Sequence, residues 1–346
     1  MRFTKKHVLF FLLLSFLANQ LYAEGSERQV IGVVVPLTGT SAFVGQAIRD
    51  SIILANEQLP KADRYKILIE DDGFKPANTL SAVKKFINND GVDFIFVLGT
   101  NQGMAVKEVI AKAKIPFLSI NVNRSVVHGA EQSFLVAPEL EALTLKNIEE
   151  AKRRGYKKVA VVSTIQDSCL LQKKIFSDSD AFEITNSFEI IPDDLNVREI
   201  ATRIKLSNPD AVFLSTFPPQ GGVLAKRLRE IGYRGDFFGG IQQYRAEEIK
   251  NSNGALAEAW FTTGSDEHAM MFIDSYKARY GLDPRELSMF SIYAYDGFRL
   301  LNQAIKSGDV LGYLRSVKNF QGASGQLSAD GMNGFTFPVA IRKLSR

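Results

Sequence analysis

Apolar residues fall in two rhythms along this chain. Val30 to Val35, Tyr65 to Ile69, Val92 to Leu98 and Ile115 to Ile120 are short continuous runs rich in Val, Ile and Phe, the pattern of strands buried on both faces of a parallel sheet. Between them the period lengthens. Phe43 to Gln58 carries Val44, Ala47, Ile48, Ser51, Ile52 and Ala55 at helical spacing, and Ala77 to Asn88 and Met104 to Ala113 behave likewise. Strand and helix in alternation wind into a parallel sheet with helices on both faces, an α/β class. A second series repeats the pattern, with strands expected at Lys158 to Ser163, Phe182 to Ile190, Ala211 to Ser215 and Phe237 to Gly239. Helices are expected near Leu170 to Phe176, Val197 to Leu206 and Gly222 to Ile231. Gly155, Gly232 and Asn208-Pro209 stand where helices stop and strands begin. The tail adds two helices, Glu267 to Tyr280 and Glu286 to Ile305, and one last strand, Phe335 to Ile341. Some of this tail must dock back on the first half.

The beginning of the chain follows neither rhythm. Lys5, Lys6 and His7 precede the apolar stretch Val8 to Leu17, and Leu21-Tyr22-Ala23 closes it. This is the layout of a secretory signal peptide over residues 1–23, and the apolar run is shorter than the roughly 20 residues a membrane-spanning helix needs. Glu24 follows where a lipid-anchored protein would have cysteine, so a protein free in the periplasm is expected. Removing the leader takes away Arg2, Lys5 and Lys6 and no acid, so 42 basic against 38 acidic residues becomes 39 against 38. The near-neutral remainder has no basic field for nucleic acid or anionic lipid. About 323 residues are left of the 346, more than one hydrophobic core usually serves, so two lobes are expected. Cys169 stands alone, which excludes an internal disulfide.

Catalytic chemistry finds little support. His128 and His268 have no partnered spacing, Cys169 has no histidine near it in sequence, and no metal-ligand spacing occurs. The first strand runs into Pro36-Leu37-Thr38-Gly39 without a Gly-x-Gly-x-x-Gly, and no phosphate-binding Gly-x-x-x-x-Gly-Lys follows any strand. No enzyme activity, cofactor or metal is expected.

Three motifs carry a family resemblance. Pro36-Leu37-Thr38-Gly39 with Gly45 and a long helix, Glu70-Asp71-Asp72-Gly73-Phe74-Lys75-Pro76, and Tyr293-Ala294-Tyr295-Asp296-Gly297 resemble, in order and spacing, the periplasmic branched-chain amino acid binding proteins of ABC importers. The resemblance implies a two-lobed type I periplasmic-binding-protein fold, a Venus flytrap with the ligand between lobes joined by three crossings. Lobe 1 would take residues 28–137 and 263–327, and lobe 2 residues 138–262 and 328–346. The crossings would lie near Ala137-Pro138, Thr262 to Gly264 and Ser328 to Gly331. The implied partners are a small-molecule ligand and an inner-membrane ABC permease, with the binding protein a monomer. A periplasmic sensor presenting its closed form to a membrane receptor is the alternative, since similar flytraps serve both tasks.

Departures from the family pattern shape the expected site. Two cysteines that members often join correspond to Phe74 and Gln102. Gly103 occupies the position of a serine whose hydroxyl meets the ligand carboxylate, leaving the backbone donors of Thr100-Asn101-Gln102-Gly103 to hold an anion. Asn121-Val122-Asn123 replaces the usual Ala-Ala-Thr, Gln166-Asp167-Ser168 replaces an aromatic, and Gln242 or Gln243 replaces the acid that meets an ammonium group. The expected contacts are therefore Thr100, Asn101, Gln102, Gly103, Asn121, Asn123, Asp167 and Gln242, with Phe43 and Phe217 closing over an apolar part. Two readings stand for several of these. The asparagines could cap their own turns, Asp167 could be a helix N-cap, and the two phenylalanines could be packing. Trp260, Tyr293 and Tyr295 are expected in packing roles. A small polar ligand is expected, an amino acid or a related amide or carboxylate, though not a plain branched-chain amino acid.

Overall fold

The computed structural model describes residues 28–39, 41–240 and 246–344. The signal-peptide expectation and Gln242 with Gln243 lie outside the described residues. Strands are β1 (Val30–Val35), β2 (Lys66–Asp71), β3 (Phe94–Leu98), β4 (Phe117–Ile120), β5 (Ser133–Leu135), β6 (Lys158–Thr164), β7 (Glu183–Ile190), β8 (Ala211–Ser215), β9 (Asp236–Gly239), β10 (Trp260–Gly264), β11 (Phe320–Gly322), β12 (Gly325–Leu327) and β13 (Val339–Lys343). Helices in chain order are α1 (Ala42–Glu57), α2 (Pro76–Lys85), α3 (Thr100–Ala113), α4 (Leu140–Arg153), α5 (Asp167–Ser177), α6 (Arg198–Ser207), α7 (Gln220–Glu230), α8 (Ala246–Ser252), α9 (Met270–Tyr280), α10 (Pro284–Leu287), α11 (Phe290–Ser307) and α12 (Val310–Ser316).

Two sheets divide the strands. The first, β2-β1-β3-β4-β5, is parallel throughout, and β1 is buried from Ile31 to Val35, where Val33 and Val35 pack in the core on one face of the sheet and Val34 in the core on the other. The second runs β13-β10-β9-β8-β6-β7, with β13 alone antiparallel. The last strand begins later than its apolar run suggests, at Val339 rather than Phe335. Pro338 has no N–H for a ladder bond, and Phe335 makes only an isolated bridge to Ala329.

The tail returns to the first sheet. α9, α11 and α12 contribute Phe272, Ile292, Tyr293, Leu300 and Leu314 to one core with Ile31, Phe96 and Leu118. Asp296, fully buried on α11, hooks the β11–β12 hairpin by accepting from Ala323 N–H (2.7 Å), Ser324 N–H (2.8 Å) and the Ser324 hydroxyl. Burial pushes its carboxyl above the usual range, and these donors pull the other way. Trp260 is 1% exposed and stacks on Phe238 at 4.6 Å, a core residue of the second sheet.

Candidate ligand cleft

A cavity of about 270 Å³ opens between the two sheets. Every stretch that reaches it, except Phe290 at the start of α11, lies at the carboxyl end of a strand. Ser41 and Val44 follow β1, Phe74 and Pro76 follow β2, Gly99 to Gln102 follow β3, and Asn121 to Asn123 follow β4. From the second sheet come Gln166, Asp167 and Ser168 after β6 and Phe217 after β8. Loops gather there because helices in such units return across the sheet face and leave the strand ends open.

The first side of the cleft is built by short tethers. Asp71 gathers the loop after β1, accepting from Leu37 N–H (2.7 Å), the Thr38 hydroxyl (2.6 Å) and Gly73 N–H (2.9 Å). The Thr38 hydroxyl first, then the backbone donors, hold its carboxyl down to about 2. α3 begins in the cleft with Gly99 as N-cap, no capping side chain and no acid in its first turn. Its first intrahelical bond runs from Gly103 N–H to Gly99 O at 3.0 Å, so the N–H groups of Thr100 to Gln102 precede the ladder and are suited to an anion. Gly103 itself does not line the cavity. Its N–H is committed, and a Cβ there would lie 2.6 Å from Val126 Cγ1, so this backbone leaves no room for the serine of the family pattern.

Asn121 is 3% exposed and bonded at both ends, from Nδ2 to Ser119 Oγ and from Asn123 N–H to its Oδ1 at 2.7 Å. Asn123 Oδ1 accepts from Ser125 N–H at 3.0 Å. Both therefore cap their own loop while lining the cleft. Gln102 is buried and donates from Nε2 to the Phe74 carbonyl at 2.9 Å, a hydrogen bond between the two positions where the family pattern has cysteines. Phe43 packs against the first core instead of lining the cavity.

On the second side α5 starts one residue after its N-cap Gln166, again with no capping side chain. Asp167 is thus the first helical residue and not the cap, exposed to the cleft. Phe217 is held by its N–H donating to Thr164 Oγ1 at 2.7 Å. Gln220, 1% exposed, ties that loop to the exit of β7 through Ile191 O (2.7 Å) and Asp194 O (2.9 Å). The start of α7 is closed differently. Buried Glu248 accepts from the N–H groups of Gly221 and Gly222, so that helix end is satisfied from within. Ser41, Gln166, Ser168 and Phe290 also line the cleft without having been among the expected contacts. Only their position after strand ends, or for Phe290 at the start of α11, could have signalled them.

Arg124, next to Asn123, bridges distant chain segments. Its Nε and Nη2 meet the two oxygens of Glu139 at 2.7 and 2.8 Å, Nη2 reaches Asp330 Oδ2 at 2.6 Å, and Nη1 donates to Met332 O at 2.7 Å. These partners raise its already high pKa. Cys169 is buried, and desolvation pushes its thiol up to about 11, which makes it inert. Among the described residues no cluster of His, Cys, Asp and Glu could hold a metal.

The sequence profile of the periplasmic binding protein family matches residues 29–337. A Leu/Ile/Val-binding protein, BraC3 of Rhizobium johnstonii, is 26% identical over 308 residues, covering 80% of this chain and 78% of its own. The branched-chain amino acid substrate-binding protein LivJ of Streptococcus pneumoniae, solved with isoleucine, superposes with a TM-score of 0.81 at 20% identity, covering 92% and 97% of the two chains. A solute-binding protein of an ABC transporter from R. palustris, solved with 4-hydroxybenzoate, gives 0.78 at 20% identity over 92% and 94%. At such identities the solved structures speak for the fold.

Proposed function

The chain belongs to the periplasmic binding protein family, and on that premise we propose that it captures a small ligand between two lobes and delivers it to an inner-membrane ABC permease. It is a binding protein and not an enzyme, as its relatives are. The observation that carries the reading is the cleft itself, lined from the strand ends of both sheets. A ligand held by both sides stabilises the closed arrangement over the open one, and closure is what a permease can read.

The lobes pivot at crossings near Ala137-Pro138, Thr262 to Gly264 and Pro338, the last lying beyond the expected Ser328 to Gly331 because Phe335 and Phe337 still pack in the first core. Supporting this, β10 lies in the second sheet while α9, which follows it, packs in the first core, and β13 returns to the second. Polar contacts come from Thr100, Asn101 and Asn123 on one side and Gln166, Asp167 and Ser168 on the other. The start of α3, uncapped and without an acid in its first turn, favours a ligand with a carboxylate or amide head. Val44, Leu98, Ile120, Val122 and the three phenylalanines of the lining receive an apolar body. Isoleucine and 4-hydroxybenzoate, held by two proteins of this fold, both have that build. The deciding experiment is native mass spectrometry of the protein purified from a periplasm. A bound small molecule with an acid or amide head is expected, and a protein that retains nothing and binds nothing from a periplasmic extract would overturn the reading.

A further inference from the structure

Phe74 sits in a conformation that the fold alone does not reward. Its φ of 59° is in the left-handed region, unfavourable for a bulky side chain, and the residue is 40% exposed. The surroundings nevertheless enforce this placement. Phe74 N–H donates to Asp72 Oδ1 at 2.8 Å, and Asp72, fully buried, is braced by the Thr79 hydroxyl at 2.8 Å. Gln102, 2% exposed, grips the Phe74 carbonyl from the start of α3. Gly99, at φ 102°, leaves the space they need: a Cβ there would lie 2.3 Å from Gln102 Oε1 and 3.1 Å from Phe74 Cε2. A strained, over-determined aromatic in a cavity wall points to a ligand, because strain of this kind persists where function uses it.

We propose that Phe74 is a specificity-determining residue of the cleft, that it and Phe217 supply the aromatic faces from opposite sides that hold the apolar body of the ligand, and that Gln102 is the positioning residue that keeps the Phe74 ring there. The inference rests on the cleft reading above and deepens it, naming the ligand class as a small molecule with one polar head and an apolar body. A hydrogen bond replaces the covalent staple of the family pattern, and the released position becomes part of the recognition surface. Phe217 is held independently by Thr164, so the two faces can be tested one at a time.

The test is isothermal titration of the exported protein with leucine, benzoate and 4-hydroxybenzoate, and with glutamate as a probe without an apolar body, alongside thermal melts. At least one apolar-bodied probe binds and glutamate does not. Phe74→Ala weakens the bound probe about tenfold or more while the melting temperature of the free protein moves by about 3 °C or less. Phe74→Leu, which keeps bulk and loses the ring, weakens it less. Gln102→Ala lowers both affinity and melting temperature. Affinity unchanged in both Phe74 variants, or lost only in step with stability, overturns the role of the ring. Glutamate binding in preference, or failure of all three apolar-bodied probes, overturns the ligand class; a different molecule found by native mass spectrometry would then leave the binding function standing.

Discussion

At Asn121 the side-chain amide donates to Ser119 and accepts from Asn123, so truncation removes two buried hydrogen bonds as well as a polar surface of the cleft. Asn121→Ala is expected to lose about 1–3 kcal/mol of stability in urea unfolding. Asn123, less buried, should lose less. Asp71 offers a second test. Its folded pKa, near 2, is depressed below the unfolded value of about 3.9, so its contribution is fully present above that unfolded value and disappears as pH falls towards 2. Asp71→Asn should flatten the acid limb of stability between roughly pH 4 and 2. An unchanged acid limb would show that the loop after β1 does not depend on this carboxylate.

The strands were the most legible elements, and Ala211–Ser215 appears with the bounds its apolar run suggests. Helix starts at the cleft were not legible. α3 begins at Thr100 and α5 at Asp167, whereas apolar spacing pointed to Met104 and Leu170. The missing turns are polar, because they face the cavity instead of a core, and tertiary tethers such as Gln102 to Phe74 hold them. β10 escaped notice as a strand because its last three residues, Thr262 to Gly264, read as a crossing, and the β11–β12 hairpin because its three-residue strands are too short for any period. That hairpin depends on Asp296. Asp296→Ala leaves the N–H groups of Ala323 and Ser324 unpaired, and a loss of about 1–3 kcal/mol for each buried donor is expected in unfolding experiments. Faster amide exchange over residues 320–327 would locate the effect.

For the whole molecule, the testable property is closure. Scattering profiles with and without the identified ligand should show compaction; identical profiles at saturation would remove the flytrap mechanism and leave the fold intact. Arg124 joins Glu139 to Asp330 across segments about 190 residues apart in sequence, beside the first of the proposed crossings. In Arg124→Ala the two carboxylates face one another without their cation. A stability loss of about 1–3 kcal/mol is expected, and larger in low salt than in high salt because repulsion between partly exposed charges is screened. A loss independent of salt would assign Arg124 a packing role.

The sequence by itself determined the α/β class, the alternation into two series of strands and the family, because buried strands and amphipathic helices are written in local periodicity. It also located the cleft loops, since strand ends follow from the strands. Which of those loop residues face the cavity was decided only by tertiary structure. Gly103 and Phe43 turn to packing, and Asp167 is a first-turn residue and not a cap. Phe74 and Gln102, read as the places of an absent disulfide, become a cleft wall and its support. Polar loop residues have no period, and their orientation depends on partners far away in sequence: residue 74 meets residue 102 only after two strands and a helix have packed.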